Sequence, residues 1–481
     1  MRCLTRLSIL WGISVALAGL ASGGLAAGAE LLIGGATTSI TPDQPIALDG
    51  QFHTRISRGV DNPITATAVA IEARQADRGA DQAVLVSCDL VAIRPVLLSA
   101  LRQRLAEKLP EVDARKVIFT ATHTHTSGVT EEGKYEIPKE GVMQPSQYVT
   151  FLADRLEQLI GNAWRARRPG GVSWGVGHAV VGYNRRAVYA NGTAAMYGKT
   201  DRPDFRGIEG YEDHGLELLF FWNTGEQKPL AVAVNVACPS QEVEGGSKIN
   251  ADFWHDVRQQ FQTGDYKDVL VLGWPAAAGD QSPHRMYRKA AEQRMLKLRG
   301  LSYTQEVARR IVGEINEVCG LVRNDVRTDI PFVHTVEDVA LPVRKVTEKE
   351  AAAAQAEIDA LAKKGGAARR QLWQQKVVDR YRQQDKEPTL AVEVHALRLG
   401  DVAIVTNPFE LFLDYGVQMQ GRSKALQTFV LQLTCGSAGY LPTERAVKGG
   451  GYSAIVASNR VGPEGGQVLA DRSVEMINSM W

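Results

Sequence analysis

The sequence has few cysteines, and none of them forms a paired motif. Four of its five cysteines follow the N-terminal segment, and they are Cys88, Cys238, Cys319 and Cys435. Disulfide scaffolds are short and dense in cysteine. The wide spacing therefore excludes that class, and it allows one structural disulfide without assigning its partners.

The chain also lacks an excess of charge and an internal repeat. Its 55 Lys and Arg residues are balanced by 54 Asp and Glu residues, and no long charged block interrupts residues 30–481. Nucleic acids and anionic membrane surfaces attract strongly basic proteins, so neither is an expected partner. Because no low-complexity linker marks a boundary, residues 30–481 are predicted to form one catalytic domain.

The first 29 residues have the composition of an export signal. Two arginines precede an apolar run, Leu7–Leu20, which ends in small residues. A membrane anchor is the alternative, but the run is shorter than the roughly 20 residues that span a bilayer. We predict a signal peptide over residues 1–29, cleaved between Gly24 and Glu30. The mature protein is expected to be periplasmic or secreted and to have no integral membrane segment.

Apolar runs rich in β-branched residues alternate with amphipathic stretches along most of the chain. The runs predict strands at residues 83–87, 117–122, 216–222, 231–237, 269–272, 393–399, 402–406 and 428–433. Apolar residues three and four positions apart predict helices at residues 96–109, 148–166, 253–261 and 303–318. This alternation indicates an α/β fold with a mixed β-sheet core covered by helices.

Residues 347–385 differ from the rest in composition. They are rich in Ala, Glu, Lys, Gln and Arg, with Gly365 and Gly366 near the middle. The pattern predicts a helical hairpin inserted in the catalytic domain. Its charged faces are typical of solvated surface, and a dedicated partner-binding role is the alternative.

Three sets of polar residues follow predicted strands. His123 and His125 lie two positions apart, so a continuing strand would direct both imidazoles to one point, as in a metal site. A hydrogen-bonded surface pair is the alternative. Ser282 and Asp280 follow a run of small residues, where they present polar groups at a strand end or, with Gln281 and Pro283, form a turn that caps the next helix. Glu410 follows a strand and a proline, as a helix start does.

Taken in order, these motifs resemble the catalytic domain of the neutral ceramidases, the neutral or alkaline non-lysosomal family. The resemblance covers nearly all of the chain from Ile33 onwards. The matching residues are the His123-Thr124-His125 motif, the Asn184-Arg185 element, Ser282 within residues 278–283, Glu410 in a Pro-x-Glu element, and Tyr440 and Tyr452, twelve residues apart.

The resemblance implies a zinc-dependent amide hydrolase. A zinc ion would be held by the first histidine of the pair, a second histidine, a glutamate and a tyrosine, which gives His123, Glu410 and Tyr440 here. Zinc acidifies water for attack on an amide carbonyl.

The same resemblance implies the roles of the neighbouring residues. His125, Arg185 and Tyr452 would bind the N-acyl substrate and stabilise the oxyanion. Ser282 would contact a substrate hydroxyl or carbonyl group, since no Gly-x-Ser-x-Gly elbow surrounds it.

Two departures from the family pattern are evident. Residues 235–246 contain no histidine where the family has its second zinc histidine. Cys238 is the expected replacement, with His255 as the competing candidate and an inert buried thiol as the other alternative. The sequence also stops at Trp481, without the family's C-terminal β-sandwich domain, so the substrate is either ceramide or another N-acyl compound.

Two other functions remain open on this sequence. One is a non-catalytic relative that only binds a ligand, and the other is a serine hydrolase that uses Ser282 with a histidine.

Overall fold

A computed structural model describes residues 28–75, 78–365 and 368–481 of the chain. The predicted signal peptide thus lies almost entirely outside the described residues, and the first strand begins at Ala29. In the described ranges, no helix is both long enough and apolar enough to cross a membrane.

The strands and helices alternate along most of the chain. The strands are β1 Ala29–Ser39, β2 Thr65–Gln75, β3 Arg78–Cys88, β4 Val117–Ala121, β5 Arg168–His178, β6 Tyr183–Asn184, β7 Arg186–Tyr189, β8 Ala194–Met196, β9 Phe205–Ile208, β10 Gly215–Asn223, β11 Ala231–Val236, β12 Leu270–Pro275, β13 Gln281–Ser282, β14 Asp329–Ile330, β15 Phe332–Pro342, β16 Thr389–Leu399, β17 Val402–Thr406, β18 Glu410–Leu411, β19 Gln427–Leu431 and β20 Tyr440–Leu441. The α-helices are α1 Pro95–Lys108, α2 Pro145–Arg165, α3 Phe253–Phe261, α4 Lys289–Arg299, α5 Tyr303–Val322, α6 Glu348–Lys364, α7 Ala368–Gln383, α8 Leu413–Arg422, α9 Glu444–Gly449 and α10 Pro463–Asn478.

Two sheets form the centre of the fold. The larger has the strand order β12-β11-β10-β5-β1-β2-β3-β4, with β14 paired to β1, and the smaller has the order β15-β16-β17-β19. One apolar cluster contains side chains of both sheets, such as Ile33 and Leu219 of the larger and Leu397 and Ile404 of the smaller. The two sheets therefore pack face to face.

Helices cover the two outer faces. Helices α1 and α2 share a cluster with β2, β3 and β4, while α3 and α5 share one with β10 and β11. Helices α8 and α10 cover the smaller sheet. In α5, a capping box at Ser302 fixes the first turn, and Val307, Ile311 and Ile315 lie on one buried face. The predicted α/β class, with a mixed sheet core covered by helices, is confirmed.

The predicted hairpin is confirmed as α6 and α7, but it is more than solvated surface. Val377 and Val378 of α7 are buried against Val346 and Val456. On the same helix, the Trp373 ring lies 5.8 Å from that of Tyr452. The hairpin thus packs against a residue of the predicted site. All four cysteines of the described residues are free and buried, so they form no disulfide there.

Candidate metal and substrate site

His123 and His125 meet, although a strand does not bring them together. Strand β4 ends at Ala121, and His123 has a positive φ of 72°, which breaks the alternation of an extended chain. The two Nε2 atoms nevertheless lie 3.4 Å apart, with the rings at 74°. The predicted convergence of the imidazoles is therefore correct, while its predicted cause is wrong.

The imidazole of His123 is held in one tautomer. Its Nδ1 lies 2.6 Å from the carbonyl oxygen of Val91, so this nitrogen donates its proton there. In the neutral ring, Nε2 then carries a lone pair, and it lies 3.5 Å from Oε2 of Glu410. A lone pair that faces a carboxylate requires a proton or a metal cation nearby.

Glu410 and Tyr440 are neighbours across a very short parallel pair of strands. Glu410 of β18 is the register partner of Tyr440 of β20, so this residue does not start a helix, and α8 begins only at Leu413. Burial acts to raise the pKa of Glu410, but His123, the hydrogen bond from Tyr440 and Arg185 together lower it to about 2. Burial and the Glu410 carboxylate raise the pKa of Tyr440.

The loop of small residues packs directly against this pair. A side chain at Gly279 would meet the carbonyl oxygen of Glu410 at 2.3 Å, which explains why this position has none. Asp280 accepts from the amide of Leu413 at 3.0 Å and from the Asn184 side chain at 2.8 Å. Asp280 therefore binds the first amide of α8 and ties the loop to Asn184. It does not cap the next helix, α4, whose N-cap is Arg288 without a side-chain cap hydrogen bond.

Arg185 is fully buried and connects most of the site. Its guanidinium donates to Gln241 Oε1 at 2.9 Å, to the Tyr197 hydroxyl at 3.0 Å and to the Tyr440 hydroxyl at 3.3 Å. It also donates to the carbonyl oxygen of Gly279 at 3.0 Å. Burial acts to lower the pKa of Arg185, but the tyrosines and Glu410 raise it above its ordinary value. Since its terminal nitrogens are all engaged by protein groups, Arg185 acts mainly as a scaffold.

Ser282 lies beneath Tyr197 and is not exposed. Its Oγ is 3.1 Å from the Tyr197 hydroxyl and accepts from the backbone amide of His284, also at 3.1 Å. In the described part of the chain no imidazole nitrogen hydrogen-bonds to this serine. Tyr197, which is 38% exposed, therefore covers the position that sequence reasoning gave to Ser282.

Gln241 is a site residue that sequence reasoning missed. Because its Oε1 accepts from Arg185, its amide nitrogen donates to Nε2 of His125, at 2.8 Å. The lone pair of His125 Nε2 is thus already occupied, and its Nδ1 points to Glu244 at 3.4 Å. The available signal was a polar side chain within residues 235–246, where no histidine is present.

Cys238, the expected zinc ligand, is not brought to His123 and Glu410. Its thiol lies near the carbonyl oxygens of Val181 at 3.8 Å and Pro239 at 3.5 Å, in the apolar cluster under α3 and α5. Burial raises the pKa of this thiol well above its ordinary value. Among the described residues, no group of three potential metal ligands joins Cys238 with His123 and Glu410.

His255 does not take the place of Cys238 in the site. It lies on α3, and its charged neighbours are Asp256, Arg258 and Asp89. Neither candidate for the missing ligand therefore lies beside His123 in this geometry.

Two grooves are lined by residues of the site. One has a volume of about 1030 Å³ and is lined by Tyr452 together with Phe52, Trp373 and Leu372. The ring of Tyr452 contacts three other rings. Its centroid lies 5.7 Å from that of Tyr440, 5.8 Å from that of Trp373 and 5.9 Å from that of Phe52. We call this the aromatic groove.

The second groove, of about 670 Å³, is lined by Tyr197, Glu244 and His284. Glu244 lies 3.4 Å from a ring nitrogen of each of His125 and His284. Tyr452 and Glu244 therefore each border an open groove.

A second group of potential metal ligands lies elsewhere in the domain. Ligand atoms of Glu393, His395 and Cys435 all lie within 4.8 Å of one another. Nε2 of His395 lies 2.8 Å from Oε1 of Glu393, and its Nδ1 lies 3.0 Å from Nε2 of His334. Arg102 forms an ion pair with Glu393. The group is a candidate metal-binding cluster, although the guanidinium of Arg102 already neutralises its carboxylate.

Comparison with known proteins identifies the fold. No protein-family model matches the sequence, and no curated protein matches it. Two similar solved structures are the neutral ceramidase from Pseudomonas aeruginosa, with a TM-score of 0.65, 16% identity and coverage of 94% of this chain and 74% of that one, and a ceramidase complexed with C2, with a TM-score of 0.64, 15% identity and coverage of 94% and 75%. The chain has the neutral ceramidase fold, as the order of its motifs predicted.

Proposed function

We propose that this protein is an exported, zinc-dependent hydrolase of N-acyl amide bonds. The observation that carries the proposal is the meeting of His123 Nε2, Glu410 and Tyr440 at one buried point. The ceramidase fold supports the same reaction class. Export is proposed from the N-terminal apolar run, and ceramide or another N-acyl compound from the family resemblance.

The residues at this point fit a zinc ion. Two ligands at about 2.1 Å from a tetrahedral zinc are about 3.4 Å apart, and His123 Nε2 lies 3.5 Å from Glu410 Oε2. The bond from His123 Nδ1 to the Val91 carbonyl is the outer-shell contact that orients ligating histidines. His123, Glu410 and Tyr440 would hold the ion, which supplies an acidified water as the nucleophile.

The other residues bind and orient the substrate. Tyr452 is 39% exposed and its ring contacts that of Tyr440, and we assign to its hydroxyl the role of donating to the oxygen of the reacting carbonyl. Arg185 keeps the Tyr440 hydroxyl in place. An amide substrate has two arms, the acyl chain on one side of the reacting bond and the amine portion on the other. The two grooves offer space for one arm each.

The experiment that tests this function measures metal and turnover together. Metal analysis of the purified protein is expected to find about one zinc per chain. The protein is expected to hydrolyse N-acyl amides, to stop when zinc is chelated, and to recover when zinc is returned. Full activity in zinc-free protein would refute the metal mechanism.

A non-catalytic relative remains the second candidate, because Gln241 occupies the lone pair of His125. A protein that binds N-acyl compounds and retains no zinc would support this second function instead.

Ser282→Ala is expected to lower turnover by about tenfold or less, because it removes one hydrogen bond to Tyr197. No acyl-enzyme is expected in intact-mass spectra during turnover. Complete loss of activity in this variant, together with an acyl adduct on Ser282 in the wild type, would establish serine catalysis instead.

Cys238→Ala is expected to leave the zinc content at the wild-type value, because the thiol packs in an apolar cluster. The variant should lose about 1 kcal/mol of stability through the small cavity it creates. Metal analysis and a chemical melt measure the two effects. Loss of zinc in a folded Cys238→Ala protein would show that the Cys238 thiol is a zinc ligand.

A further inference from the structure

Arg369 of the hairpin lies in the wall of the aromatic groove without an acidic partner. Its guanidinium lies 5.1 Å from the centre of the Phe52 ring and 4.5 Å from that of Tyr135, and it donates to the Tyr135 hydroxyl. In the described ranges, no carboxylate oxygen lies within 4.0 Å of it. Aromatic faces hold a guanidinium in place without neutralising it.

The other charged side chains of this groove are mostly paired with each other. Arg94 and Lys134 both contact the buried carboxylate of Asp49, at 3.5 and 2.7 Å. Arg460 pairs with Glu387, and Glu393 pairs with Arg102. Glu131, Glu132, Lys376, Asp379 and Arg380 also line the groove, and Arg380 donates to the carbonyl oxygens of Asn459 and Val456. The lining side chains thus comprise six Lys or Arg and five Asp or Glu, and Arg369 is the cation held on the ring of Phe52, which contacts Tyr452.

Arg369 is close enough to the site to contact a substrate there. It stacks on Phe52, Phe52 contacts the ring of Tyr452, and Tyr452 contacts that of Tyr440. A compound whose amide lies at Tyr440 would thus extend along two rings to reach the guanidinium. The apolar walls between them suit a hydrocarbon portion.

We propose that Arg369 selects N-acyl substrates that carry an anionic group, a carboxylate or a phosphate, on the arm lying in the aromatic groove. The inference rests on the proposed amide hydrolysis and specifies its substrate class. A guanidinium binds either anion through two parallel N–H donors. Arg369 would increase the affinity for the anionic substrate, so its replacement should change KM.

The test compares three substrates that differ only in the end group. The amide of each carries a six-carbon chain on its nitrogen: N-lauroyl-6-aminohexanoate ends in a carboxylate, the phosphate ester of N-lauroyl-6-aminohexanol ends in a phosphate, and N-lauroyl-6-aminohexanol itself is neutral. The wild type is expected to have a lower KM for one or both anionic compounds. Arg369→Gln should raise that KM by about tenfold to a hundredfold, because a charge-assisted bond is lost. The KM of the neutral compound should change less than about twofold.

The neighbouring arginine provides a matched control. Arg370 pairs with Glu357 at 2.6 Å and is exposed, so Arg370→Gln should leave all three KM values unchanged. Arg369→Lys keeps the positive charge but lacks the two parallel N–H donors of the guanidinium, so it should recover part of the affinity. Added salt should raise the KM of the anionic substrates in the wild type and not in Arg369→Gln.

Two results would overturn the inference. One is an equal KM for anionic and neutral substrates in the wild type, and the other is an equal change for both in a folded Arg369→Gln protein. If no amide is hydrolysed, the proposed function fails on its own. Calorimetric binding of the same compounds then decides the inference, since tighter binding of the anions that is lost in Arg369→Gln would support it and equal binding would refute it.

Discussion

Replacing His123 by alanine is expected to remove the bound zinc and to lower turnover by about 10³-fold or more, because several kcal/mol of transition-state stabilisation are lost. His123 presents its only free nitrogen to Glu410, and the Val91 carbonyl fixes the orientation of the ring. The neighbouring imidazole of His125 cannot replace this nitrogen, since its Nε2 already accepts from Gln241. Metal analysis and steady-state rates on one preparation measure both effects.

The control for this experiment is His255→Ala. His255 lies on α3 away from these residues, so its replacement should leave the zinc content and turnover close to the wild type. Glu410→Gln keeps the shape of the side chain and should also lose the metal. If His123→Ala retained one zinc per chain, or if His255→Ala lost its zinc, the result would show that other residues hold the metal.

Arg185→Leu is expected to lower the free energy of unfolding by about 3–5 kcal/mol and to abolish activity, because it leaves buried polar groups without their partner. Gln241 Oε1 and the Gly279 carbonyl would lose a donor, and Tyr440 would lose the contact that orients its hydroxyl. Denaturant melts give the stability, and rates per folded molecule give the activity.

Arg186 offers a comparison at the next position. It is also fully buried, but it pairs with Glu209 at 2.6 Å and donates to Ser453, outside the metal site. Arg186→Leu should therefore lose a similar amount of stability while the protein that remains folded keeps its turnover and zinc. Equal turnover losses per folded molecule in the two variants would mean that Arg185 has only a structural role.

Periodicity predicted the long elements well, because their side chains meet a large apolar face. The predicted helix 253–261 and the predicted strand 402–406 coincide with α3 and β17. Strands β18 and β20 have only two residues each, too few for any period to appear. Their pairing depends on contacts with distant segments, so Glu410 had the local pattern of a helix start.

For a related reason, the sequence could not show which side chain lies where the family has its second zinc histidine. After β11, tight backbone bonds from Cys238 to Val236 and from Gln241 to Pro239 turn the chain. This turn directs Cys238 into the apolar cluster and Gln241 towards Arg185. Residue type alone favoured the thiol, because a cysteine is the stronger ligand. The direction of each side chain depends on a turn that composition does not encode.

The pairing of Glu410 with Tyr440, opposite His123, also affects the order of assembly. His123 follows a strand of the larger sheet, whereas Glu410 follows β17 of the smaller one, more than half the chain length away. No short segment of the unfolded polypeptide holds this set of ligands, unlike a zinc finger, whose ligands nucleate its folding. Under the proposed function, tight zinc uptake should therefore begin only after the two sheets have docked, so that the metal would report completed folding rather than start it.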